Sequence, residues 1–214
     1  MEKLFELFKG NSSSYIKSTV NGELDDRGKR ITSYTTVHEP VTTKQWQEHL
    51  DGKIRIGFKP EEEGQCMWGC IDVDPSSYKN YSQKKYVDII KNYKLPLVAV
   101  KSKSGGLHIF VFFTEWADVE KVSDKLKKIN DKYFLAQEIF PCNKALNMPY
   151  QNMNSSMEFA YDDNNNPVLI QRFIEIAETK RIAPEDFYKL RIKEYEPESM
   201  WNTYAPCVQK LIQE

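Results

Sequence analysis

The sequence predicts an α+β fold built on one substantial core. Apolar residues alternate with a period of two in some segments and follow a helical period in others, without an internal repeat. Two strand-like segments, 95–100 and 107–113, flank a glycine-containing turn, which is typical of an antiparallel hairpin. A chain of 214 residues, 40% hydrophobic and 13% aromatic, is long enough for one main domain.

The first sixty residues are expected to form a small unit of helices and strands. Thr42 or Thr43 can cap a helix that carries Trp46, His49 and Leu50, and Gly52 ends it. The other elements expected here are a helix at 4–8, a loop at 10–14, and strands at 31–37 and 54–58.

The elements expected after residue 60 alternate between strand and helix. Pro75 stops the first of these strands, and Asp118 can cap a lysine-rich helix that runs to about Tyr133. In chain order we expect a charged turn at 61–64, a strand at 66–74, a helix at 81–93, the hairpin at 95–113, the helix after Asp118, strands at 136–140, 145–150 and 157–161, and helices at 168–178 and 184–193. Residues 194–199 have the composition of a polar linker, and 201–214 that of a separate segment.

Two carboxylates interrupt the apolar strand around residue 70. Residues two apart on a strand point to the same face, so Asp72 and Asp74 would lie side by side while Ile71 and Val73 face the core. Carboxylates held this close repel each other, and a hard divalent cation such as Mg²⁺ or Mn²⁺ would compensate them. The alternative is a pair of acids solvated in a turn, which is the usual setting of such a triplet.

A basic glycine turn precedes His108. Lys101, Ser102, Lys103 and Ser104 supply charge and hydroxyls, and the backbone amides of Gly105 and Gly106 are accessible, which is the set of groups that a polyphosphate needs. From the adjoining strand the imidazole of His108 can donate to a phosphate oxygen. The alternative is a structural histidine that is bonded to a backbone carbonyl.

Glu138 is the best-placed third acid, because it too lies in an apolar strand. Three carboxylates could hold two cations, which would stabilise the attacking and leaving oxygens of a phosphoryl transfer. The alternative for a single glutamate in a short strand is an exposed edge residue.

Composition sets further expectations. Thirty basic and thirty-one acidic residues give a net charge of -1, so any contact with nucleic acid must depend on local patches. The sequence has four cysteines and no long apolar stretch. These features predict a cytoplasmic protein with no membrane span, in a bacterium or a phage-infected host. Cys66 and Cys70 are expected to pack on one face of a strand, and no zinc site is expected.

Taken in order, Asp72-Val73-Asp74, then Ser104-Gly105-Gly106-Leu107-His108, then the Glu138 strand resemble the motifs of the archaeo-eukaryotic primase superfamily. Glu138-Ile139-Phe140-Pro141, followed by Asn147-Met148-Pro149-Tyr150, is similar to the primase-polymerase domains of phage and mobile-element replication proteins, including those of defence-associated conflict systems. The resemblance covers roughly residues 4 to 190.

This resemblance implies an RRM-like antiparallel sheet with flanking helices, joined to an N-terminal αβ unit, with the active site between them. It implies a catalytic domain at 1–195, divided into an N-terminal unit at about 1–60 and a core at about 61–195, with 196–214 starting a further region. The resemblance implies that Asp72, Asp74 and Glu138 bind the metal. It also implies that the residues in contact with the nucleotide are Ser104, His108, Lys101, Lys103, Gly105, Gly106 and Asn147.

The resemblance implies a DNA primase-polymerase that uses Mg²⁺ or Mn²⁺ to join nucleoside triphosphates on a single-stranded DNA template. Such proteins make primers for phage or mobile-element DNA replication, and a C-terminal primase region and a helicase commonly follow the domain. Glu158 is an alternative to Glu138 as the third acid. Two other functions stay open: a metal-dependent nuclease, and a non-catalytic RRM-like module that binds nucleic acid.

Overall fold

The structure is a computed structural model, and it describes residues 2–24, 30–75, 81–134, 136, 138–154 and 157–193. The predicted linker and the segment at 201–214 lie outside the described residues. The helices are α1 (Glu2–Leu7), α2 (Thr43–Leu50), α3 (Gln83–Asn92), α4 (Val119–Tyr133), α5 (Ile170–Lys180) and α6 (Pro184–Lys189). The strands are β1 (Tyr15–Leu24), β2 (Arg30–Val37), β3 (Arg55–Phe58), β4 (Glu61–Glu62), β5 (Gln65–Val73), β6 (Val98–Lys101), β7 (Leu107–Asp118), β8 (Glu138–Phe140), β9 (Leu146–Asn147), β10 (Ala160–Tyr161) and β11 (Pro167–Val168).

Two antiparallel sheets organise the chain. The smaller has the order β2-β1-β3-β9, and the larger has the order β11-β10-β6-β7-β5-β4, with β8 also paired to β5. Within the larger sheet the succession β5-α3-β6-β7-α4-β8 gives the spatial order β8-β5-β7-β6, which is that of an RRM-like unit. The predicted α+β fold with an RRM-like sheet is confirmed. Because β9 pairs with β3, the smaller sheet takes one strand from beyond residue 60.

Separate hydrophobic clusters cover the two faces of the larger sheet. One contains Ile71, Val73 and the apolar sides of α3 and α4. The other lies between the sheet and the N-terminal unit, and Phe8 of the segment after α1 is at its centre. The Phe8 ring lies 5.2 to 6.2 Å, centroid to centroid, from the rings of Trp46, Trp68, Phe110, Phe112 and Phe173. Aromatic packing therefore holds the N-terminal unit against the face of the sheet that carries Asp72.

Local signals predicted several elements correctly. Thr42 caps α2 with a capping box: its side chain accepts from the Lys44 amide, and the Gln45 side chain accepts from the Thr42 backbone amide. The Asp118 side chain accepts from the Lys121 amide at the start of α4. The hairpin of β6 and β7 is present as expected.

The expectation for the two β5 cysteines is wrong. A register irregularity between Cys66 and Trp68 shifts the alternation of the strand, so Cys66 packs in the cluster on the helix side and Cys70 in the cluster on the opposite side. Both thiols are free and buried. In the described part of the chain, no helix is long and apolar enough to cross a membrane.

Candidate active site

Asp72 lies between two other predicted site residues in the larger sheet. It is directly opposite Glu138 on β8 and directly opposite His108 on β7. Directly opposed residues of antiparallel strands project to the same face. The three side chains are therefore neighbours on one face, although 66 residues of sequence, from 72 to 138, separate the first from the last.

Asp74 follows the last residue of β5 and lines a cleft with Asp72. This cleft, with a volume of about 630 Å³, lies where the two sheets meet. The predicted residues that line it are Asp72, Asp74, Lys101, Lys103, Ser104, His108 and Asn147. The structure thus brings together most of the residues that were predicted from the sequence.

Burial and, to a smaller extent, the neighbouring acids raise the pKa of Asp72. Burial raises that pKa from 3.8 to about 6, and the carboxylates of Glu138 and Asp74 contribute to the rise, while Lys144 opposes them. The Asp72 side chain is 28% exposed, so it keeps access to the cleft. A group that adds positive charge beside these acids would relieve the repulsion.

Glu138 holds a cationic partner in this structure. Its carboxylate forms an ion pair with the ammonium of Lys144, which raises the pKa of Lys144. Among the described residues, no group of three or more His, Cys, Asp and Glu side chains stands close enough together to hold a metal ion. Coordination by all three acids would require Glu138 to leave Lys144 and turn toward Asp72.

His108 is an uncharged neighbour of Asp72. Burial lowers the pKa of its imidazole from 6.5 to about 4, and the charge of Arg55 acts in the same direction. Its Nε2 lies 3.6 Å from Oδ1 of Asp72, which is too long for a hydrogen bond. At neutral pH the ring can therefore offer a hydrogen bond to an anion in the cleft without adding a charge.

The turn at 102–106 is fixed against the end of β5. The Ser102 amide donates to the Gly106 carbonyl at 2.9 Å, and the Gly105 amide donates to the Ser102 carbonyl at 3.0 Å. Gly105 has a φ of +87°, which favours glycine. From α3, the Gln83 amide donates to the Gly105 carbonyl at 2.7 Å and its oxygen accepts from the Tyr161 hydroxyl. The turn is therefore held in place by the strands and the helix on either side.

Gly106 allows this turn to approach the acids. A Cβ at this position would lie 2.1 Å from the Val73 carbonyl oxygen and 2.9 Å from the Pro75 ring. We expect Gly106→Ala to separate the turn from β5 and to lower the free energy of unfolding by about 1 to 3 kcal/mol, with a weaker affinity for nucleotide. Urea denaturation and nucleotide titration measure the two effects. Gly64→Ala is the control: an added Cβ there meets nothing beyond the neighbouring residues, although the φ of +77° costs an alanine about 1 to 2 kcal/mol. This control should leave the nucleotide affinity unchanged, and an equal loss of affinity in both variants would contradict the expectation.

Sequence reasoning missed Arg55. From β3 of the smaller sheet its guanidinium lines the cleft, and it forms hydrogen bonds to both carboxylate oxygens of Glu158 at 2.6 and 3.0 Å and to Gln151 at 3.3 Å. The side chains of Arg55 and Glu158 are 11% and 7% exposed. The strand alternation placed Arg55 on the face opposite Ile54 and Ile56, but only the folded chain brings Glu158, 103 positions away, beside it. Glu158, the alternative third acid, is thus paired with Arg55.

Asn147 reaches the cleft through the smaller sheet. It lies opposite Gly57 in the pairing of β9 with β3. His49 supports this region: its Nε2 is 2.9 Å from the Pro149 carbonyl oxygen, and its Nδ1 accepts from the Ile56 amide at 3.3 Å. Burial lowers the pKa of His49 to about 4, as expected of a structural histidine.

Comparison with known proteins identifies the family. Residues 5–143 match the sequence model described as "TOTE conflict system, Archaeo-Eukaryotic Primase domain". The chain belongs to this family. The match includes Asp72, Asp74, His108 and Glu138, so membership covers the acids and the glycine turn. The predicted membership of the archaeo-eukaryotic primase superfamily is confirmed.

Solved structures also match this primase domain. The archaeo-eukaryotic primase domain of the cyanophage S-2L primase-polymerase aligns over 81% of this chain and 94% of its own, with 9% sequence identity and a TM-score of 0.40. No curated protein matches the sequence. Family membership supports a function of the primase or nucleotidyltransferase type.

Proposed function

We propose that this primase domain is a DNA primase-polymerase. It would transfer nucleotides from nucleoside triphosphates to a 3′-hydroxyl on a single-stranded DNA template, with release of pyrophosphate, and would thereby make primers. The observation that carries the proposal is the position of Asp72, which has Glu138 on one side and His108 on the other and lines a cleft together with Asp74 and residues 102–104 of the turn.

The three carboxylates have the chemistry of a divalent metal site, although they are not gathered around one point while Glu138 is paired with Lys144. Asp72, Asp74 and Glu138 offer carboxylate oxygens, which are the ligands that Mg²⁺ and Mn²⁺ prefer. Burial, together with the charges of Glu138 and Asp74, raises the pKa of Asp72, and a cation would stabilise its charged form. When bound, two cations would supply Lewis-acid stabilisation of the attacking and leaving oxygens. Glu138 would exchange Lys144 for the metal.

The basic turn would hold the triphosphate. Lys101 and Lys103 line the cleft and would neutralise the phosphate charge. The Ser104 hydroxyl would donate to a phosphate oxygen, and the neutral imidazole of His108 would add one donor next to Asp72. The Gly105 amide already donates to the Ser102 carbonyl, so Gly105 would shape the turn rather than bind phosphate. Held this way, the α-phosphorus would face the 3′-oxygen, and the bond to pyrophosphate would break as the new ester forms.

A primer-extension assay tests this function. The protein is incubated with a primed single-stranded DNA template, labelled nucleoside triphosphates and Mn²⁺, and each nucleotide is omitted in turn. We expect extended primers whose length depends on the nucleotides that are supplied, and none when the metal is chelated. A shortened template without extension would indicate a nuclease, and binding without any change in length would indicate a non-catalytic module; either result overturns the proposal.

A further inference from the structure

A second cavity adjoins the cleft, and the site described above assigns no role to it. Its volume is about 390 Å³, which is within the range of small-ligand sites. Met153, Phe159, Val168 and Leu169 form its apolar wall, and we call it the apolar cavity. The Tyr150 hydroxyl donates to the Val168 carbonyl at 3.0 Å and accepts from the Ala160 amide at 2.9 Å, which fixes β10 and β11 around the cavity.

The rim of the apolar cavity exposes large hydrophobic side chains. Leu169 is 74% exposed and Met153 is 38% exposed. Met157, four residues after Met153, is 67% exposed. Among the described residues, the other exposed large hydrophobic side chain is that of Tyr34, which lies far from 153–169 in sequence. Exposed apolar side chains that are concentrated beside a cavity indicate a binding site.

The apolar cavity shares a wall with the cationic side of the cleft. Glu158 lines both spaces, and its charge is balanced by Arg55. The Lys101 ammonium lies 5.2 Å from the centre of the Phe159 ring, and the Lys101 amide donates to the Phe159 carbonyl at 2.8 Å. The phosphate-binding lysine of the proposed site and the aromatic wall of the cavity are therefore adjacent. A ligand that fits both is anionic at one end and flat and apolar at the other.

A nucleotide has this chemistry. We propose that the apolar cavity binds the base of the nucleoside triphosphate whose phosphates lie on the turn and His108; this inference rests on the proposed function. Contact with Phe159 and Leu169 tolerates any base, because every base has an apolar face. The side-chain amides of Asn154 and Gln171, which also line the cavity, can both donate to and accept from the edge of a base.

Leu169→Asn tests the inference without weakening the fold. Leu169 occupies the N-cap position of α5 and makes no side-chain cap, and asparagine is a preferred N-cap residue. The substitution also leaves the charge unchanged, so repulsion of phosphate cannot explain its effect. We expect the Kd for a nucleoside triphosphate, measured by isothermal titration, to rise about tenfold, while the Kd for inorganic tripolyphosphate stays the same. Tyr34→Asn removes another exposed large side chain, 62% exposed, from the smaller sheet and should change neither Kd.

The outcomes separate this inference from the proposed function. Equal affinity of the wild-type protein for the nucleoside triphosphate and for tripolyphosphate, or an unchanged nucleotide affinity in Leu169→Asn, overturns the inference but leaves a phosphate site intact. Loss of single-stranded DNA binding in this variant, with nucleotide affinity retained, also overturns it, since the cavity would then bind a base of the strand. Failure of both phosphate probes to bind the wild-type protein overturns the proposed function and the inference together.

Discussion

Replacing Asp72 by asparagine is expected to abolish primer extension and to stabilise the fold. The amide has no charge to hold a divalent cation, so we expect the extension rate to fall by more than about a hundredfold, which exceeds the usual effect of an outer-shell substitution at a metal site. Asp118→Asn is the matched control, because Asp118 lies at the other end of the β5–β7 pairing and asparagine preserves its cap on α4. Wild-type extension by the Asp72→Asn variant would contradict the assignment of the metal site.

The stabilisation follows from the sign of the pKa shift. Folding raises the pKa of Asp72 from 3.8 to about 6, so the folded state binds more protons than the unfolded state between these values. The free energy of unfolding should therefore fall as pH rises from about 4 to about 6 and stay lower above that range. The Asp72→Asn variant would not carry this penalty, and without metal it should be more stable than the wild type by about 2 kcal/mol at pH 7.

Urea denaturation at several pH values, with and without Mn²⁺, measures this difference. The difference in the free energy of unfolding between the wild type and Asp72→Asn should be small at pH 4 and should reach its full value of about 2 kcal/mol at pH 7. Mn²⁺ should stabilise the wild type, since a ligand that binds only the folded state raises its stability, and should leave the variant almost unchanged. An Asp72→Asn variant that is less stable than the wild type at pH 7 would show that burial and the neighbouring carboxylates do not penalise the Asp72 charge in the folded protein.

The features that sequence predicts well here depend on neighbouring residues. The caps at Thr42 and Asp118 require contacts over three positions, and the hairpin of β6 and β7 requires one short turn. The placement of Asp72 and His108 on the face opposite Ile71 and Ile109 follows from simple alternation, and it is confirmed by the two hydrophobic clusters. Local geometry sets all of these features, so they can be predicted from short windows of sequence.

What could not be predicted depends on distant pairing or on irregular backbone. β11 is two residues long and has too few positions to show a period, and β1, which pairs with β2 and β3, was not recognised. The irregularity near Trp68 reverses the face of Cys66 without a signal in composition. The ion pair of Arg55 with Glu158 joins residues 103 positions apart in sequence. Only the folded chain shows that the Glu158 carboxylate binds the Arg55 guanidinium and does not lie beside Asp72.

The buried ion pair of Arg55 and Glu158 leads to a second prediction. Removing one member of a buried pair leaves the other charge uncompensated, so Glu158→Ala should lower the free energy of unfolding by about 3 kcal/mol. The double variant Arg55→Met with Glu158→Leu removes both charges and should recover most of that loss. Glu175→Ala is the control: it breaks the exposed pair with Arg172, whose side chains are 61% and 63% exposed, and should cost about 0.5 kcal/mol or less.

Chemical denaturation of the four proteins, with and without Mn²⁺, also assigns Glu158. If Glu158 served as the third metal ligand, its loss would remove stabilisation by Mn²⁺ and leave the metal-free fold almost unaffected. If it holds Arg55, as the two oxygen contacts at 2.6 and 3.0 Å indicate, its loss should destabilise the metal-free protein and leave the increment from Mn²⁺ in place. Since Arg55 belongs to the smaller sheet and Glu158 precedes β10 of the larger one, the same pair fixes the relative position of the two walls of the cleft. Extension by the double variant should therefore stay below the wild-type rate even where its stability is restored.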